Sequence, residues 1–597
     1  MKRARSLVVF FFCAAGVFLF AGHTQLAGPA GLPVSQGCPS DDTGLKLPKG
    51  FCATIFADDI GHSREMIVAP DGVVYVNTWS GRYYGNTPPH PGGFLVALQD
   101  KTGSGKADVI ERFGETPETG AAGGSGIALY KDAIYAEIND RIAKYALAPG
   151  SIAPHGAGVT IVSGLPLTGD HPMHPFIISS EGDIDVDDAT PTNSCQVKNR
   201  VPQSPGENPC TQLETRGGIW RYDANKTSQA FSPAERYATG IRNAEGLAFD
   251  GAGHLFATQH GRDQLHANWP QFYRPDQEAT LPAEELLLIK QGGDYGWPEC
   301  YYDSFVQRLV LAPEYGGDGK TFGICVEKTA PVAAFPAHWA PNGMAHYDKT
   351  QFPARYRDGM FIAFHGSWDR APYPQGGYNV VFQPLSGVRA SGSCEIFADG
   401  FAGANKSPQG AAHRPSGLAV GPDGALYISD DVTGRIYRVT YSGGPFDASS
   451  ITPCPSLTAP AGRVVAAPVN PPEGDHPNAG REGNINGPVP HGATAAMVAL
   501  GNRIYHGQVA GASCTGCHGD NAKGTPLGPD LTDKKWLWSD GSYAGIAKTI
   551  TDGVPQPKQY RSPMPPMGGT QLSREQINAL AAYIWSISHS GGAAASH

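Results

Sequence analysis

Charged residues are scarce in this 597-residue chain, at 17%, whereas glycine (77 residues) and proline (51 residues) are abundant. So few charges argue against long solvent-exposed helices, and so many turn residues favour short strands. The net charge of −10 is spread without a basic stripe, which excludes the electrostatic footprint of a nucleic-acid-binding protein. No apolar run after residue 21 is long enough to span a bilayer. We therefore expect a mainly all-β chain of two or three units.

The N-terminus predicts export. Lys2, Arg3 and Arg5 precede an apolar run at 7–21, and small and polar residues follow it, which is typical of a secretory signal peptide. We place the signal at 1–27 and expect a periplasmic protein. An uncleaved, membrane-associated anchor is the alternative.

The cysteine count supports an oxidising compartment. Of eleven cysteines, Cys13 lies in the predicted signal and Cys514 and Cys517 belong to a motif discussed below. The even remainder of eight predicts disulfides. Proximity in sequence suggests these pairs, although other connectivities stay open: Cys38–Cys52, Cys195–Cys210, Cys300–Cys325 and Cys394–Cys454.

One sequence pattern recurs along most of the chain. It consists of an apolar stretch, a turn rich in Gly and Asp, and a second alternating stretch, which together predict a hairpin. Six such units occur, at 64–77, 124–145, 174–188, 244–261, 342–366 and 415–439. Repeated hairpins with variable insertions favour a six-bladed β-propeller, with a double-sheet sandwich as the alternative.

The composition changes after about residue 444. The segment 445–490 is rich in proline and predicts an extended tether. Beyond it, apolar residues recur at helical spacing, and Ser573 with Gln576 forms a capping box before the last helix. We therefore divide the chain into a propeller domain at 28–444, the tether, a small all-α domain at 491–590 and a disordered tail at 591–597.

The all-α domain contains a haem-attachment motif. Cys514-Thr-Gly-Cys517-His518 matches Cys-x-x-Cys-His, in which two thiols form thioethers with haem c and the histidine ligates the iron. Met564 and Met567 lie just ahead of the last helix and offer a second axial ligand. The segment resembles the Met-Pro-x-x-Gly loop of bacterial class I cytochromes c, which favours Met564 over Met567. Histidine and methionine ligation suits electron transfer.

Two segments of the predicted propeller carry candidate catalytic groups. Asp170 and His171 come just before one hairpin, and Arg242 with Asn243 opens another. Inner strands line the central channel of a propeller, so side chains at their ends converge on one ligand.

The chain resembles a known family, the pyrroloquinoline quinone (PQQ) dependent glucose/sorbosone dehydrogenases. The resemblance is greatest to the sorbosone and pyranose dehydrogenase branch. The resemblance covers most of residues 45–441. Its motifs occur in matching order: Gly240-Ile-Arg-Asn-Ala-Glu-Gly246, Gln259-His-Gly-Arg262, Glu284-Glu-Leu-Leu-Leu-Ile289, Gly292-Gly-Asp-Tyr-Gly-Trp-Pro298, His365-Gly-Ser-Trp368 and His413-Arg-Pro-Ser-Gly417.

The resemblance implies a role for each matching residue. His171 matches the general base that removes the substrate's hydroxyl proton. Arg242 and Asn243 match the pair beside PQQ, where the guanidinium stabilises negative charge. Gly261 and Arg262 match positions whose backbone carbonyls bind calcium, which prefers oxygen ligands.

Other positions are assigned with less support from the motifs. Arg64, His365 and Arg414 fall where they could contact the carboxylates of PQQ, and Asp170 could orient His171. The strand at 182–188 departs from the family because it alternates aspartates with apolar residues. That pattern allows a solvated acidic face or a second calcium site.

These features together predict a quinohaemoprotein dehydrogenase. It would oxidise a sugar, alcohol or aldehyde with PQQ and pass the electrons to its own haem c, and then to a soluble cytochrome or a membrane respiratory chain. Two alternatives stay open: an electron-transfer cytochrome with a non-catalytic docking propeller, and a calcium-dependent propeller lactonase or hydrolase. The loops at 79–94, 262–283 and 298–330 would determine the substrate. Trp79, Tyr83 and Tyr84 are candidates for stacking on a sugar ring.

Overall fold

The computed structural model contains six antiparallel sheets of four or five strands each, which form the blades of a propeller, followed by a helical domain. It describes residues 43–78, 92–115, 124–370, 373–408, 410–444, 446–457 and 487–590, the last range without 508, 510–513, 520–521, 525–527, 555–556, 561–563, 565 and 570–571. The predicted signal at 1–27, Cys38, Trp79, Tyr83, Tyr84, most of the tether and the tail lie outside the described residues.

The first three blades follow one another along the chain, and each begins with its inner strand. Blade 1 contains Ser63–Val68, Val74–Thr78, Leu95–Gln99 and Val109–Phe113. Blade 2 contains Ile127–Tyr130, Ala133–Ile138, Arg141–Ala146 and Val159–Ser163, and Gln229–Ala230 adds a parallel fifth strand. Blade 3 contains Phe176–Ile178, Asp183–Asp188, Gly218–Asp223 and Arg236–Thr239.

The remaining blades complete the ring. Blade 4 contains Leu247–Phe249, Leu255–Gln259, Glu284–Leu288 and Ala333–Phe335. Blade 5 contains Pro341–Tyr347, Gly359–Phe364, Asn379–Gln383, Glu395–Ala398 and a short fifth strand, Thr452–Pro453. Blade 6 contains Pro415–Val420, Leu426–Asp430 and Arg435–Tyr441, and its outer strand is Phe51–Ala57.

The two ends of the propeller segment meet in blade 6. Phe51 pairs with Tyr441, and the pairing continues to Ala57 opposite Ile436. The outer strand of the last blade therefore comes from the segment that precedes blade 1, so the two ends of the propeller segment share one sheet and close the ring.

The core lies between adjacent blades. Blades 5 and 6 bury an aromatic cluster that includes Phe51, Phe352, Tyr356 and Phe397, whose rings contact one another mostly edge to face. Such contacts add to the free energy gained by removing apolar surface from water. Each sheet packs one face against each of its two neighbours, so stacking against both neighbours is what stabilises it.

The long insertions between strands have structure of their own. Two one-turn helices, Leu265–Asn268 and Pro275–Glu278, follow the second strand of blade 4. A hairpin of Cys300–Asp303 and Arg308–Leu311 follows the third strand of blade 4. A short hairpin, with the two-residue strands Leu385–Ser386 and Arg389–Ala390, follows the third strand of blade 5. The 3₁₀ turns are Thr211–Glu214, Pro233–Glu235, Pro313–Tyr315, Gly323–Glu327, Ala354–Tyr356 and Ala448–Ser450.

Three of the predicted disulfides are confirmed: Cys195–Cys210, Cys300–Cys325 and Cys394–Cys454. The first two tie insertions to themselves. The third ties the start of the predicted tether to blade 5, where Thr452 pairs with Ile396. The pairing of Cys38 with Cys52 is a prediction that lies partly outside the described residues.

The C-terminal domain is helical. Its helices are Ala495–Tyr505, Cys514–His518, Tyr543–Asp552 and Arg574–Ser588, with a 3₁₀ turn at Pro566–Gly569. The predicted capping box is confirmed, because Gln576 N donates to Ser573 Oγ and Ser573 N donates to Gln576 Oε1. A β-carbon at Gly501 would lie 2.0 Å from the carbonyl oxygen of Ala579, so glycine permits the first and last helices to pack closely.

The predicted fold class is confirmed: the chain is a six-bladed β-propeller followed by a small all-α domain. Each of the six predicted hairpins contains the first two strands of one blade, and the units at 124–145 and 415–439 also include most of the third. The sandwich alternative is wrong. Among the residues described, no helix has both the length and the apolar character that a membrane crossing requires.

Candidate functional site

The connectivity of the blades explains where the predicted site residues lie. The first and second strands of each blade are antiparallel, so the residues before the first strand and those after the second strand lie at the same rim of the ring. His171, Arg242 and Arg414 precede first strands, whereas Gly261 and His365 follow second strands. The fold therefore brings them together, although they are far apart in sequence.

These residues line one cavity of about 1120 Å³. The predicted residues that line it are Arg64, Asp170, His171, Arg242, Asn243, Gly261, His365 and Arg414. Arg262 is not among the lining residues, because its side chain turns away to pair with buried Glu314.

His171 is held in one tautomer by the backbone. Its Nδ1 lies 2.7 Å from the carbonyl oxygen of Thr190, which only accepts hydrogen bonds, so Nδ1 carries the proton and Nε2 has a lone pair. Burial, followed by the positive charge of Arg242, holds the pKa of His171 well below its usual range. The imidazole is therefore neutral at physiological pH and able to accept a proton.

Asp170 has a different partner from the one expected. Its Oδ2 accepts from Nε of Arg200 at 3.1 Å, and Thr190 supplies the acceptor that orients His171. The suggestion that Asp170 orients His171 is therefore wrong. The backbone carbonyl of Thr190 orients His171 instead.

Arg242 is fixed by a set of buried acceptors. Its Nη1 donates to the carbonyl oxygen of Gly261 at 3.0 Å, and its Nη2 donates to Oδ2 of Asp263 at 3.0 Å. Arg200 donates to the same Asp263 oxygen, also at 3.0 Å. Burial would raise the pKa of Asp263, but the two arginines outweigh it and the pKa is lowered. One carboxylate thus positions two guanidinium groups at the cavity wall.

A second buried network lies across the cavity. Arg64 donates to Asp431 at 2.8 Å and to Glu245 at 3.0 Å, and His365 Nε2 lies 2.9 Å from both carboxylate oxygens of Asp431. Arg414 extends from the same side, donating to the carbonyl oxygens of His365 and Gly366.

The surroundings of Gly261 contain oxygen atoms suited to a hard cation. Its amide N donates to Oε2 of Glu284 at 2.8 Å, and its own carbonyl oxygen faces Arg242. Burial raises the pKa of Glu284 to about 7. A carboxylate and a carbonyl at this position are ligand types that calcium accepts. The calcium assignment of Gly261 and Arg262 stays a prediction.

The acidic strand of blade 3 is buried within the sheet. Asp185 accepts two hydrogen bonds from Arg221, at 2.8 and 2.9 Å, and Asp188 lies 2.7 Å from Nε of Arg216. These arginines balance the charges of Asp185 and Asp188, and buried Asp187 accepts from the backbone N of Ala244 at 3.0 Å. These three aspartates therefore do not form a solvated acidic face.

The helical domain contains an apolar cavity of about 980 Å³ around the haem-attachment motif. His518 Nδ1 lies 2.9 Å from the carbonyl oxygen of Pro529, which leaves Nε2 free to bind iron. Cys514 and Cys517 are not joined in a disulfide. Two thiols, an imidazole and apolar walls fit a covalently attached porphyrin.

Met564 and Met567 occupy different positions relative to this cavity. Met564 lines it together with His518, whereas Met567 is not among its lining residues and packs in the helical core. Met564 is also held by the backbone, because its N and O pair with Val554. This geometry favours Met564 as the axial ligand.

Comparison with known proteins identifies both parts of the chain. The TrAA12-like family model matches residues 121–442, and the cytochrome c family model matches residues 498–588. The chain belongs to the TrAA12-like family. Its C-terminal part is a cytochrome c domain, so both parts of the resemblance seen in the sequence are confirmed.

Curated relatives match this TrAA12-like chain over limited stretches. A pyrroloquinoline quinone-dependent pyranose dehydrogenase of Coprinopsis cinerea is 27% identical over 241 residues, which is 34% of this chain and 31% of that protein. A cbb3-type cytochrome c oxidase subunit FixP of Bradyrhizobium sp. (strain ORS 278) is 39% identical over 77 residues, which is 13% of this chain and 24% of that protein. The chain thus spans less than a third of the length of each of these two proteins.

Solved structures agree on the fold. The holo PQQ domain of pyranose dehydrogenase from Coprinopsis cinerea has a TM-score of 0.53 at 18% identity, over 68% of this chain and 98% of that one. A calcium structure of Trichoderma reesei family AA12 has a TM-score of 0.53 at 17% identity, over 66% and 97% of the two chains.

Sequence reasoning missed several charged residues of the cavity. Arg200, Asp263 and His338 line it but lie in insertions without strand periodicity, and Asp431 supports it from behind. Asp263, His338 and Asp431 lie just before or after a hairpin, and this position could have indicated that they lie at the same rim. Arg200 offered no such indication.

Proposed function

We propose that this TrAA12-like chain is a PQQ-dependent dehydrogenase that oxidises a sugar or a related alcohol or aldehyde and passes the electrons to its own haem c. The observation that carries the proposal is that Cys517 of the haem-attachment motif lines the same cavity as His171, Arg242 and Arg414. A redox partner on the same chain is thereby close to the proposed oxidation site.

The residues of the cavity fit PQQ, which has three carboxylates and a quinone. Arg64, Arg200, Arg242 and Arg414 supply positive charge on several sides. The side-chain Oδ1 of Asn243 is buried and finds no hydrogen-bond donor among the described residues. Such an atom is costly unless a ligand supplies the donor. We assign Arg64, His365 and Arg414 to the carboxylates, and Asn243 and Arg242 to the quinone end.

When bound, PQQ supplies a two-electron acceptor and haem c a one-electron acceptor. His171 accepts the substrate's hydroxyl proton at Nε2, because Nδ1 already carries a proton directed at Thr190. The Arg242 guanidinium, fixed by Asp263 and the Gly261 carbonyl, stabilises negative charge next to the base without having to move.

Two further assignments belong to the same proposal. Gly261 and Arg262, with their backbone carbonyls, bind calcium beside the cofactor, and the Glu284 carboxylate lies near enough to Gly261 to contribute oxygen. His518 and Met564 are the axial ligands of the haem iron. The dehydrogenase domain is 28–444 and the cytochrome domain 491–590, joined by the tether at 445–490.

We infer that the protein acts in the periplasm, where its final electron acceptor is a soluble cytochrome or a membrane respiratory chain. Three disulfides support an oxidising compartment.

Reconstitution tests the proposal. The haem-loaded full chain is incubated with PQQ and calcium, and a panel of sugars, alcohols and aldehydes is added while the haem spectrum is recorded. We expect at least one class of substrate to reduce the haem, at a rate per molecule that does not change on dilution because transfer is intramolecular. Haem that stays ferric with every compound rejects the dehydrogenase. Product formed without an electron acceptor would instead support the hydrolase alternative.

A further inference from the structure

Three side chains of metal-ligand type meet beside the propeller cavity, and two of them, Asp263 and His338, line it. Asp263 follows the second strand of blade 4, His338 precedes the first strand of blade 5, and Asp369 follows the second strand of blade 5. Each offers one ligand atom, and these atoms all lie within 4.8 Å of one another. The residues are 7%, 5% and 8% exposed, so the cluster is buried.

Several atoms of this cluster have no hydrogen-bond partner among the described residues. They are Nδ1 of His338 and both carboxylate oxygens of Asp369. His338 Nδ1 lies 3.4 Å from Oδ1 of Asp369 and 3.8 Å from Oδ1 of Asp263. A buried carboxylate without a donor is costly, whereas a bound cation would satisfy all three groups at once.

The orientation of His338 is the one found in metal-binding histidines. Its Nε2 lies 2.7 Å from the carbonyl oxygen of Glu278 and 3.1 Å from that of Leu281, so Nε2 donates to the backbone. In the neutral tautomer, Nδ1 then directs its lone pair at the two aspartates. A backbone carbonyl behind the second ring nitrogen is the usual support of a ligating histidine.

Each aspartate also has a carboxylate oxygen that faces the centre of the cluster. Oδ2 of Asp263 accepts from Arg200 and Arg242, whereas Oδ1 faces His338. Neither carboxylate oxygen of Asp369 accepts a hydrogen bond from the described residues, and Oδ1 lies 3.4 Å from Nδ1 of His338. The cluster therefore combines one imidazole nitrogen with two carboxylates.

We propose that Asp263, His338 and Asp369 bind one transition-metal ion of the zinc class. Zinc accepts nitrogen and carboxylate oxygen in a four-coordinate site, so three protein ligands leave one position for water. Calcium prefers six to eight oxygen ligands and is disfavoured by the imidazole. This site is distinct from the calcium assigned to Gly261 and Arg262, and it does not depend on the substrate or on PQQ.

A metal at this position would fix the cavity wall. It would connect the insertion after the second strand of blade 4 to both ends of the first hairpin of blade 5. Through Asp263 it would also hold Arg200 and Arg242 in place. Its role is thus one of positioning rather than direct contact with the substrate.

Direct metal analysis tests the proposal. The haem-loaded full chain, without a polyhistidine tag and without PQQ, is stripped with a chelator, dialysed against zinc chloride and analysed for metal content. X-ray absorption at the zinc edge then reports the ligands without interference from the haem iron. We expect one tightly bound zinc with a single imidazole nitrogen and carboxylate oxygens. A wild-type protein that retains no zinc overturns the proposal, because the cluster is then a histidine–carboxylate ion pair.

Matched substitutions locate the zinc. Asp369→Asn keeps the shape of the side chain but removes its charge, so we expect zinc affinity to fall at least about tenfold, with an unchanged haem spectrum. The control is Asp303→Asn, another buried aspartate, which accepts from the backbone N of Phe305 and Val306 outside the cluster. Equal zinc retention in both variants overturns the proposal, as does a zinc spectrum without an imidazole ligand.

Competition with calcium tests the class of metal. Zinc-loaded wild-type protein is mixed with calcium chloride at the same concentration as the zinc chloride that saturates it. We expect the zinc to stay bound. Displacement of zinc at equal concentration would overturn the assignment to the zinc class. Zinc should also raise the melting temperature of the wild type by a few degrees but not that of Asp369→Asn, because an ion that binds only the folded state stabilises it. An equal rise in both proteins counts against this site.

Discussion

Arg64 of blade 1 donates from Nη1 to Oδ2 of Asp431, which follows the second strand of blade 6, at 2.8 Å, although 367 residues separate them. Both side chains are buried, at 3% and 1% exposure. His365 of blade 5 and Glu245, which precedes blade 4, join the same network. Four blades are therefore connected through one set of buried charges at the edge of the cavity.

Asp431→Asn should destabilise the propeller. The substitution removes one of the two carboxylates that pair with buried Arg64, and the charged acceptor of His365. Breaking a buried ion pair costs about 3–5 kcal/mol. Chemical denaturation measures the free energy of unfolding. The control is Asp423→Asn, because its pair with Arg438 is half exposed and should contribute about 0–1 kcal/mol. Equal losses in the two variants would contradict the importance of the buried network.

The same residue should govern acid stability. Burial would raise the pKa of Asp431, but His365 and Arg64 outweigh it and hold the pKa well below its usual range. A carboxylate with a lowered folded pKa contributes stability that is complete above its unfolded pKa of about 4 and is lost as the pH falls below it. We expect the free energy of unfolding to fall less steeply below pH 4 in Asp431→Asn than in the wild type. If the free energy of unfolding fell equally steeply with pH in the two proteins, Asp431 would not be the source of the acid sensitivity.

His171→Ala should abolish substrate-driven haem reduction. Loss of a general base lowers the rate by about 10²–10⁴-fold. Reduction by dithionite and the content of PQQ should stay unchanged, since His171 is not a haem ligand. His254→Ala, which changes a half-exposed histidine paired with Asp250, serves as the control. Turnover at the wild-type rate in His171→Ala would reject the base assignment.

The pH dependence of turnover should reflect the environment of His171. Burial and then Arg242 keep its pKa well below 6.5, so the base stays unprotonated and the rate should hold as the pH falls through 6.5. Arg242→Gln removes one of the charges that lower this pKa, so the acid limb of kcat/KM should move to higher pH even where kcat falls. The exposed control Lys226→Gln should leave the limb in place. An acid limb at 6.5 in the wild type would show that another group titrates.

Met564→Ala should change the haem ligation. Loss of a thioether ligand removes the long-wavelength charge-transfer band of ferric haem and lowers the midpoint potential. Met567→Ala is the matched control, because this methionine is not among the lining residues of the haem cavity. The opposite result, with the band lost only in Met567→Ala, would exchange the two assignments.

The sequence predicted the blades better than it predicted the site. Each hairpin has a two-residue period and a marked turn, so the six inner strand pairs were predictable from local pattern. The convergence of His171, Arg242 and Arg414 followed from the motif order and the resemblance. No motif links Asp263, His338 and Asp369, although each lies near the end of a hairpin. They meet only after blades 4 and 5 are packed.

The partner of His171 shows a second limit of sequence reasoning. Asp170 is its neighbour in sequence and carries a suitable carboxylate, yet Arg200 takes that carboxylate and the backbone of Thr190 supplies the acceptor. Backbone carbonyls have no sequence signature. A hydrogen bond to one is therefore visible only once the strand geometry is known.

The outer strand of blade 6 comes from residues 51–57, and this has a consequence for biosynthesis. The strand emerges early but must wait for residues 435–441 before it finds its neighbour. Until then it presents an unpaired edge, which invites association with other chains. Truncated products that end before blade 6 should therefore be the most prone to aggregate, and a chaperone that shields this early segment would raise the yield of closed rings.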